Sequence, residues 1–342
     1  MKFLIIRLSS IGDIVLTTPV IRCLKKQVLT AEVHYLTKQA YQPIIESNPY
    51  IDKRFYLDKN LNGIIAQLQA EDYDYIIDLH HNLRTAKIKR TLGKTALSFP
   101  KLNIEKWLYT TFRWNRMPAL HIVDRYMQTV TPFGVVNDGT GLDYFLPAAQ
   151  QIKDNDIPVS HMAGYVGVVI GAAHATKKYP VHKLQEFCRQ LHHPVILLGG
   201  KEDSAVGEKI AATDPGKIYN ACGKFSLHES ADLVRRARLI VTNDTGLMHI
   251  AAAFKKQIVS LWGNTVPDFG MTPYYGSNFT SALQQQSPGK SRFDILEVKG
   301  LWCRPCSKIG YKHCPLGHFK CMEKIEPAQV TEHVYDRLRG GK

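Results

Sequence analysis

The sequence lacks any apolar run long enough to cross a membrane. A spanning helix needs about 20 apolar residues, and no segment of the 342 residues approaches that length. The apolar start of the chain is interrupted by Arg7 and then by Asp13, which leaves no adequate core for a signal peptide. We therefore expect a soluble, cytoplasmic protein without a spanning segment.

The chain also has few cysteines and no short repeat or low-complexity tract. Its 7 cysteines are an odd number, and Cys23, Cys188 and Cys222 stand singly, which favours buried free thiols in a reducing compartment. Apolar residues make up 44% and charged residues 22% of the chain, which excludes a disordered chain, a collagen and a small disulfide-stapled scaffold. At about 100–200 residues per domain, the length predicts two domains.

Acidic residues are scarce relative to basic ones. The 30 Asp and Glu face 44 Lys and Arg, a net charge of +14 that favours an anionic partner. More than half of the excess falls between Arg84 and Arg116, where Glu105 is the single acid. Trp107 and Trp114 are interleaved there, which fits a surface that meets anionic lipid or phosphates. An RNA-binding face and a solvated helix face are the alternatives, but no RNP, zinc-finger or helix-turn-helix signature is present, so we expect no nucleic-acid partner.

Short β-rich runs alternate with helical patterns along almost the whole chain, which predicts an α/β fold with parallel sheets. Strands are predicted at Lys2–Leu8, Glu32–Leu36, Lys53–Tyr56, Tyr73–Leu79, Ala96–Phe99, Tyr165–Ile170, Val195–Leu198, Lys217–Asn220, Leu239–Thr242 and Ile258–Leu261. Helices are predicted near Ile14–Gln27, Ala40–Glu46, Asn62–Gln69, Leu83–Leu92, Val181–Leu191, Asp203–Ala212, Leu227–Ala237 and Gly246–Phe254.

These two series predict two Rossmann-like, doubly wound domains, residues 1–155 and 156–325. A C-terminal helix is predicted over 326–342, and it could pack back on the first domain. Ligands in this architecture bind beyond the carboxyl ends of the strands. We therefore expect the functional residues just past the strand ends, in a cleft between the two domains.

The turn after the first strand carries a carboxylate. It contains one glycine, Gly12, instead of a Gly-x-Gly-x-x-Gly fingerprint, which disfavours a dehydrogenase. Asp13 at this position is consistent with a helix N-cap. It is also consistent with a general base, ionised at pH 7 without special tuning.

Two turns in the second half have features of a phosphate site. Small residues, a hydroxyl and the pair Lys177–Lys178 stand between a strand and a helix, which favours anion binding over a solvated lysine pair. In the second turn, Asp244 can cap a helix while the amides of Thr245 and Gly246 stay free for an anion. His249 falls on the same helical face, and a capped core helix with a buried histidine is the alternative.

Two further residues are candidates for nucleoside contacts. Glu202 follows a strand, where acidic side chains commonly accept hydrogen bonds from ribose hydroxyls, and Asp203 is its competitor. Phe225 precedes a helix and could stack on a base, although a loop aromatic is more often ordinary packing.

Four motifs together resemble those of glycosyltransferase family 9, the heptosyltransferases of lipopolysaccharide core assembly. They are Ile5–Pro19, Thr176–Pro180, Asn243–Ala252 and the cysteine-containing tail from Cys303 to Met322. The resemblance implies a GT-B fold, with the acceptor bound by the first domain and the nucleotide sugar by the second. It implies inverting transfer of a heptose from ADP-heptose to a hydroxyl of the lipid A-linked inner core, at the inner face of the cytoplasmic membrane, with no cofactor.

The resemblance also implies residue roles. Asp13 would be the general base and Lys177 would neutralise the leaving diphosphate. The donor would be bound by Thr176, Glu202, Phe225, Asp244, Thr245, Gly246, Leu247 and His249. We place acceptor or phosphate binding at Ser10, Gly12, Arg84 and Lys87. A transferase for another nucleotide sugar, a nucleotide-sugar epimerase and a basic nucleic-acid-binding protein are the alternatives.

The cysteine tail has three interpretations. Cys303, Cys306, Cys314 and Cys321 could hold a structural zinc ion, but their spacing is not that of a standard finger. Reduced thiols in a compact loop and disulfides are the alternatives. We favour the interpretation without metal.

Overall fold

The computed structural model describes residues 1–276 and 292–340, and these form two compact units. The first comprises Met1–Lys101, Leu120–Phe145 and a short stretch that begins at Tyr274. The second comprises Leu102–Ala119, Leu146–Pro273 and the described residues from 292 onward. No helix in these described ranges is long and apolar enough to cross a membrane.

The first unit is built on a five-stranded parallel sheet with the order β3-β2-β1-β4-β5. Its strands are β1 Lys2–Ile6, β2 Glu32–Lys38, β3 Lys53–Leu57, β4 Tyr75–Asp78 and β5 Thr95–Ser98. Its helices are α1 Ile11–Val15, α2 Thr18–Gln27, α3 Gln42–Ile45, α4 Leu61–Gln69, α5 Leu83–Leu92 and α7 Ile122–Met127, whereas α6 (Asn103–Phe112) belongs to the second unit. Phe3–Ile6 is fully buried, as expected for a central strand that helices cover on both faces.

The second unit is built on a six-stranded parallel sheet with the order β11-β10-β9-β6-β7-β8. Its strands are β6 Val166–Val169, β7 Val195–Leu198, β8 Ile218–Asn220, β9 Leu239–Asn243, β10 Gln257–Trp262 and β11 Phe293–Glu297. Its helices are α6 Asn103–Phe112, α8 Val159–Met162, α9 Val181–Gln190, α10 Ser204–Ala211, α11 Leu227–Arg236, α12 Gly246–Ala253, α13 Lys320–Glu323 and α14 Pro327–Gly340. The C-terminal helix α14 contributes Val330 and Val334 to the core of this unit.

Each sheet has a point where its strand order reverses. In the first unit, successive strands run outward from β1 to β3 and the chain then returns to place β4 on the other side of β1. In the second, β6 to β8 run outward and β9 returns to the other side of β6. Ligands of doubly wound sheets bind at the carboxyl ends of the strands at such a reversal. The turns after β1, β4, β6 and β9 are therefore the positions that matter.

The structure differs from the predicted elements in several places. The predicted helix Ile14–Gln27 starts too late, because α1 begins at Ile11 and α2 only at Thr18. Helices α6, α7, α8 and α13 and strand β11 were not predicted at all. The basic segment Arg84–Arg116, assigned to the first domain, is divided between the units, because Leu102–Ala119 belongs to the second.

Candidate functional site

Asp13 lies in the first turn of α1, at the carboxyl end of β1. Ser10 is the residue that caps this helix, and Asp13 is the third helical residue. Its Oδ2 accepts hydrogen bonds from the Ser10 backbone N at 3.2 Å and from Ser10 Oγ at 2.8 Å. Asp13 is therefore not the N-cap residue. Its carboxylate instead accepts hydrogen bonds from the N-cap residue, as acidic side chains at this position do in a capping box. Gly12 is buried beside it, and Ser10 is exposed.

The partner of Asp13 that the sequence analysis missed is Arg7. Arg7 Nη2 lies 2.8 Å from Asp13 Oδ1. The same guanidinium donates to the Ser9 carbonyl at 2.7 Å and to the Tyr126 hydroxyl at 2.9 Å, which fixes its position. Burial would raise the pKa of Asp13, but the Arg7 charge and the hydrogen bonds from Ser10 outweigh it and hold the pKa below its ordinary value. Asp13 is therefore ionised at pH 7, and 22% of its side chain remains exposed.

His80 and Lys101 complete the charged surroundings of Asp13. His80 follows β4, which pairs with β1 so that Asp78 stands opposite Ile6. Burial and the charges of Arg7 and Lys101 lower the pKa of His80 to about 4, so this imidazole is neutral at pH 7. Burial and the Arg7 charge also lower the pKa of Lys101. The first reversal point therefore combines the Asp13 carboxylate with a neutral imidazole and the cations Arg7 and Lys101.

Arg84 and Lys87 lie in the first turns of α5, which begins just beyond the carboxyl end of β4. Both side chains are exposed, and Lys87 Nζ donates to Asn62 Oδ1 at 3.0 Å. Arg84 lines a cavity of about 280 Å³ together with Leu57, Asp58, Lys59 and Leu61. The structure thus places both predicted cations at the same edge of the sheet as Asp13, where they can meet an anionic ligand.

Lys177 and Asp244 meet at the reversal point of the second sheet. They follow the neighbouring strands β6 and β9, and Lys177 Nζ lies 2.6 Å from Asp244 Oδ2. Thr265 Oγ1 donates to the same oxygen at 3.1 Å. The prediction that Asp244 caps the following helix is wrong, because Thr245 is the N-cap of α12. The Asp244 carboxylate instead holds the Lys177 ammonium at the edge where an anionic ligand would bind.

The N-terminal turn of α12 offers backbone donors beside this ion pair. Thr245, Gly246 and Leu247 are half-buried there. The first amides of a helix have no partner within the helix, and the helix dipole makes this end attractive to an anion. His249 lies one turn further on and is buried. The arrangement is that of a phosphate site at a helix N-terminus.

Thr176 connects this site to the cysteine tail. Its hydroxyl accepts a hydrogen bond from the Tyr311 backbone N at 2.8 Å and donates to the Tyr311 carbonyl at 3.2 Å, and the side chain is buried. The structure therefore uses the Thr176 hydroxyl to fix the turn that carries Lys177.

The residues after β7 separate into a buried and an exposed carboxylate. Asp203 is buried and accepts from Lys178 Nζ at 2.6 Å and from the Gly200 backbone N at 3.0 Å, so it stabilises the turn. Glu202 is exposed, which leaves it accessible to a ligand. Phe225 is half-buried directly before Ser226, the N-cap of α11.

The four cysteines of the tail are free thiols. Burial raises the pKa of Cys321 to about 12 and also raises that of Cys306, and the neighbouring thiols add to both shifts. Cys303 Sγ lies 3.9 Å from His318 Nε2. A metal ion needs several His, Cys, Asp or Glu ligand atoms close together. Among the described residues, only Glu32, His34 and Glu71 bring three such atoms within 4.8 Å of one another. Glu32 and Glu71 already form ion pairs with Lys2 and Lys53. This group lies at the amino ends of the strands, whereas Asp13 follows the carboxyl end of β1.

Comparisons with known proteins agree with this geometry. The model of glycosyltransferase family 9 (heptosyltransferase) matches residues 63–299. The lipooligosaccharide heptosyltransferase 2 of Haemophilus influenzae is 25% identical over 294 residues, which cover 79% of this chain and 85% of that protein.

Two solved structures share the fold along nearly the whole chain. The glycosyl transferase family 9 protein of Veillonella parvula has a TM-score of 0.77 at 23% identity, covering 99% of this chain and 97% of that one. The ADP-heptose lps heptosyltransferase II of E. coli has a TM-score of 0.71 at 19% identity, covering 99% of both chains. The expected GT-B fold class, with two doubly wound α/β domains, is confirmed. Because the family model matches well over half of its length, the chain belongs to glycosyltransferase family 9 and is a glycosyltransferase.

Proposed function

We propose that this glycosyltransferase moves a heptose from an ADP-heptose to a hydroxyl of the lipid A-linked inner core of lipopolysaccharide, with inversion at the anomeric carbon. Its family and the names of its relatives support this donor and acceptor. The observation that carries the proposal is the Lys177–Asp244 pair at the helix N-terminus of one reversal point, with the ionised Asp13 at the other.

The donor is held in the second unit. The diphosphate replaces Asp244 as a partner of Lys177 and accepts from the backbone amides of Thr245, Gly246 and Leu247. The buried His249 supports the same turn from within α12. Thr176 fixes the turn that presents Lys177 through its hydrogen bonds to Tyr311.

The nucleoside lies on the exposed side of the same edge. Glu202 accepts from the ribose hydroxyls, because it is exposed while Asp203 is committed to Lys178. Phe225, half-buried after β8, packs near the adenine.

Asp13 acts as the general base. Its carboxylate accepts the proton of the acceptor hydroxyl while the oxygen attacks the anomeric carbon and the bond to the diphosphate breaks. Lys177 and the first amides of α12 stabilise the negative charge that collects on the departing ADP. The proposed chemistry requires no other cofactor, since these groups supply the positive charge that the leaving group needs.

The acceptor is held in the first unit. Ser10 and Gly12 flank the base, while the exposed Arg84 and Lys87 offer positive charge to the phosphates or carboxylates of the core. A lipid-linked acceptor brings the enzyme to a membrane, so we place it in the cytoplasm, peripheral to the inner membrane.

The test is transfer by purified protein to a water-soluble, deacylated core acceptor, followed as a gain in acceptor mass. ADP-heptose should support turnover, whereas UDP-glucose and UDP-N-acetylglucosamine should give little or none. Substituting Glu202→Ala should raise the donor KM about tenfold, as loss of a hydrogen-bonding partner of the ribose predicts. Glu208→Ala, on the neighbouring α10, is the matched control and should leave the donor KM unchanged. Preferred use of a UDP-sugar, or epimerisation of the donor without transfer, would contradict the proposal.

A further inference from the structure

Helix α6 turns its apolar face to solvent. Ile104, Trp107 and Phe112 share one side of the helix by their spacing. Ile104 is 70% exposed, and Trp107 and Phe112 are about half exposed. Tyr109, one turn before Phe112, packs against Phe269 with ring centroids 6.0 Å apart. No residue of α6 is fully buried, so its large side chains are available to a partner.

The cysteine tail extends this apolar face. Arg113 Nε donates to the Trp302 carbonyl at 2.8 Å, and Lys308 Nζ donates to the Asn103 carbonyl at 3.2 Å. These contacts hold the tail at both ends of α6 within the second unit. The resulting aromatic surface consists of Ile104, Trp107, Phe112, Trp114, Trp302 and Ile309, all about half exposed or more. Trp107, Phe112 and Trp114 also contact one another as a row of rings.

Positive charge accompanies the aromatic surface. Apart from Arg304, whose side chain is only 6% exposed and pairs with Glu297, residues 299–320 contain the basic side chains Lys299, Lys308, Lys312 and Lys320 and no acid. Residues 103–116 add Lys106, Arg113 and Arg116 against Glu105. Tryptophan together with aliphatic side chains and lysine is the composition that settles at the headgroup region of an anionic bilayer.

We propose that the aromatic surface docks the second unit on an anionic membrane leaflet. Trp107, Trp114 and Trp302 enter the headgroup region, while the surrounding lysines and arginines meet lipid phosphates. The aliphatic side chains of Ile104 and Ile309 enter the lipid beside the tryptophans. The inference rests on the proposed function in one respect, because a lipid-linked acceptor gives the enzyme a reason to be at a membrane. It assigns docking to α6 and the cysteine tail, and not to the first unit.

Tryptophan fluorescence tests the proposal directly. Three of the 4 tryptophans lie on the aromatic surface, and the fourth, Trp262, is buried and donates to Ser260 Oγ at 3.0 Å. We expect a blue shift when wild-type protein meets vesicles of phosphatidylethanolamine with phosphatidylglycerol, and none with phosphatidylcholine vesicles. No donor or acceptor is added. The triple variant Trp107→Phe, Trp114→Phe, Trp302→Phe should bind the anionic vesicles while losing the shift.

A second triple variant, Trp107→Ser, Trp114→Ser, Trp302→Ser, should reduce co-sedimentation with the anionic vesicles about tenfold or more. The control Leu29→Ser, Val159→Ser removes two side chains that are 89% and 86% exposed elsewhere and should bind as wild type does. Wild-type protein that ignores the vesicles, or a serine variant that binds them fully, would overturn the proposal. The proposal would also be overturned if the wild-type protein formed a dimer, the serine variant were a monomer, and neither bound vesicles. The aromatic surface would then be the interface with a second copy of the chain.

Turnover on the water-soluble acceptor separates this inference from the proposed function. The serine variant should keep the wild-type kcat/KM there, since none of the three tryptophans belongs to the proposed catalytic, donor or acceptor residues. Vesicle binding without any heptose transfer by wild-type protein would refute the proposed function and leave the docking surface standing. Heptose transfer by wild-type protein that does not bind vesicles would refute the docking surface and leave the proposed function standing.

Discussion

The Arg7 guanidinium lies 2.8 Å from the Asp13 carboxylate, and this contact sets the character of the proposed base. A neighbouring cation favours the ionised form of a carboxyl group. Asp13 is therefore ready to accept a proton over a wide pH range, with its orientation fixed from both sides by Arg7 and Ser10. The same pairing makes it a weaker base than an isolated aspartate.

Replacing Arg7 should move the pH dependence of transfer. The pKa of Asp13 is held low in the wild type, so Arg7→Met should raise it and shift the acid limb of kcat/KM to higher pH. The measurement is the pH profile of kcat/KM on the soluble acceptor. Arg7→Lys keeps a positive charge and should restore most of the wild-type profile. An unchanged acid limb in a folded Arg7→Met variant would mean that another group governs it.

Lys177 should matter for catalysis more than a surface lysine does. Lys177→Gln removes the charge that neutralises the leaving diphosphate, so we expect kcat/KM to fall about 10²–10³-fold. Steady-state kinetics with varied ADP-heptose measures the loss. Lys209→Gln, on the exposed side of α10, is the control and should be neutral. Near-normal kinetics of the Lys177→Gln variant would remove this residue from the proposed donor site.

The ion pair between Asp294 and Arg337 of the C-terminal helix should make the stability of the fold depend on pH. Burial opposes ionisation of Asp294, but Arg337 and His333 outweigh it and lower its pKa to about 2. A lowered folded-state pKa stabilises the fold above the unfolded value near 4, and this contribution is lost as the pH falls from about 4 towards 2. Arg337→Leu should cost about 3 kcal/mol at neutral pH, since it leaves a largely buried carboxylate with only His333 beside it among the described residues.

Urea denaturation at pH 7 and pH 3 measures both effects. The variant should lose less stability than the wild type between these two values, because part of the acid-sensitive interaction is already gone. Equal acid sensitivity of the two proteins would contradict the role assigned to this pair.

The position of much of the candidate site was predictable because it follows a positional rule. Asp13, Lys177 and Asp244 were found as polar residues just past predicted strands, and reversal of strand order brings such residues to one edge of a sheet. Arg7 gave no comparable signal, because a charged residue at a strand end can equally face solvent. The partner of Thr176 is Tyr311, 135 residues further along the chain, and no local pattern reveals a contact of that separation.

Helix α6 escaped prediction for a different reason. Helices are recognised by an apolar stripe that faces the core, whereas α6 turns Ile104 and Trp107 to solvent and packs through Tyr109. Strand β11 is an edge strand with only Phe293 and Leu296 buried, so its apolar signal is short. Both failures mark places where local sequence and tertiary packing disagree.

Metal removal should leave the fold unchanged. Among the described residues, the four tail cysteines are absent from the groups whose ligand atoms lie close enough together to hold a metal ion. Protein purified without added metal should therefore contain clearly less than one zinc ion per chain, by elemental analysis, and a chelator should not lower its melting temperature. A full equivalent of metal, lost together with thermal stability on chelation, would show that the four cysteines form a structural site.

The most direct test of the account is transfer by the Asp13→Asn variant. The amide keeps the size of the carboxylate and can still accept from Ser10, but it cannot take a proton from the acceptor. The account predicts that kcat falls about 10²–10⁴-fold, while the dissociation constant of ADP, measured by calorimetry, stays at the wild-type value because the donor site lies in the second unit. Asp72→Asn, at a carboxylate whose side chain is 86% exposed, is the matched control. Wild-type turnover by the Asp13→Asn variant would contradict the account at its centre.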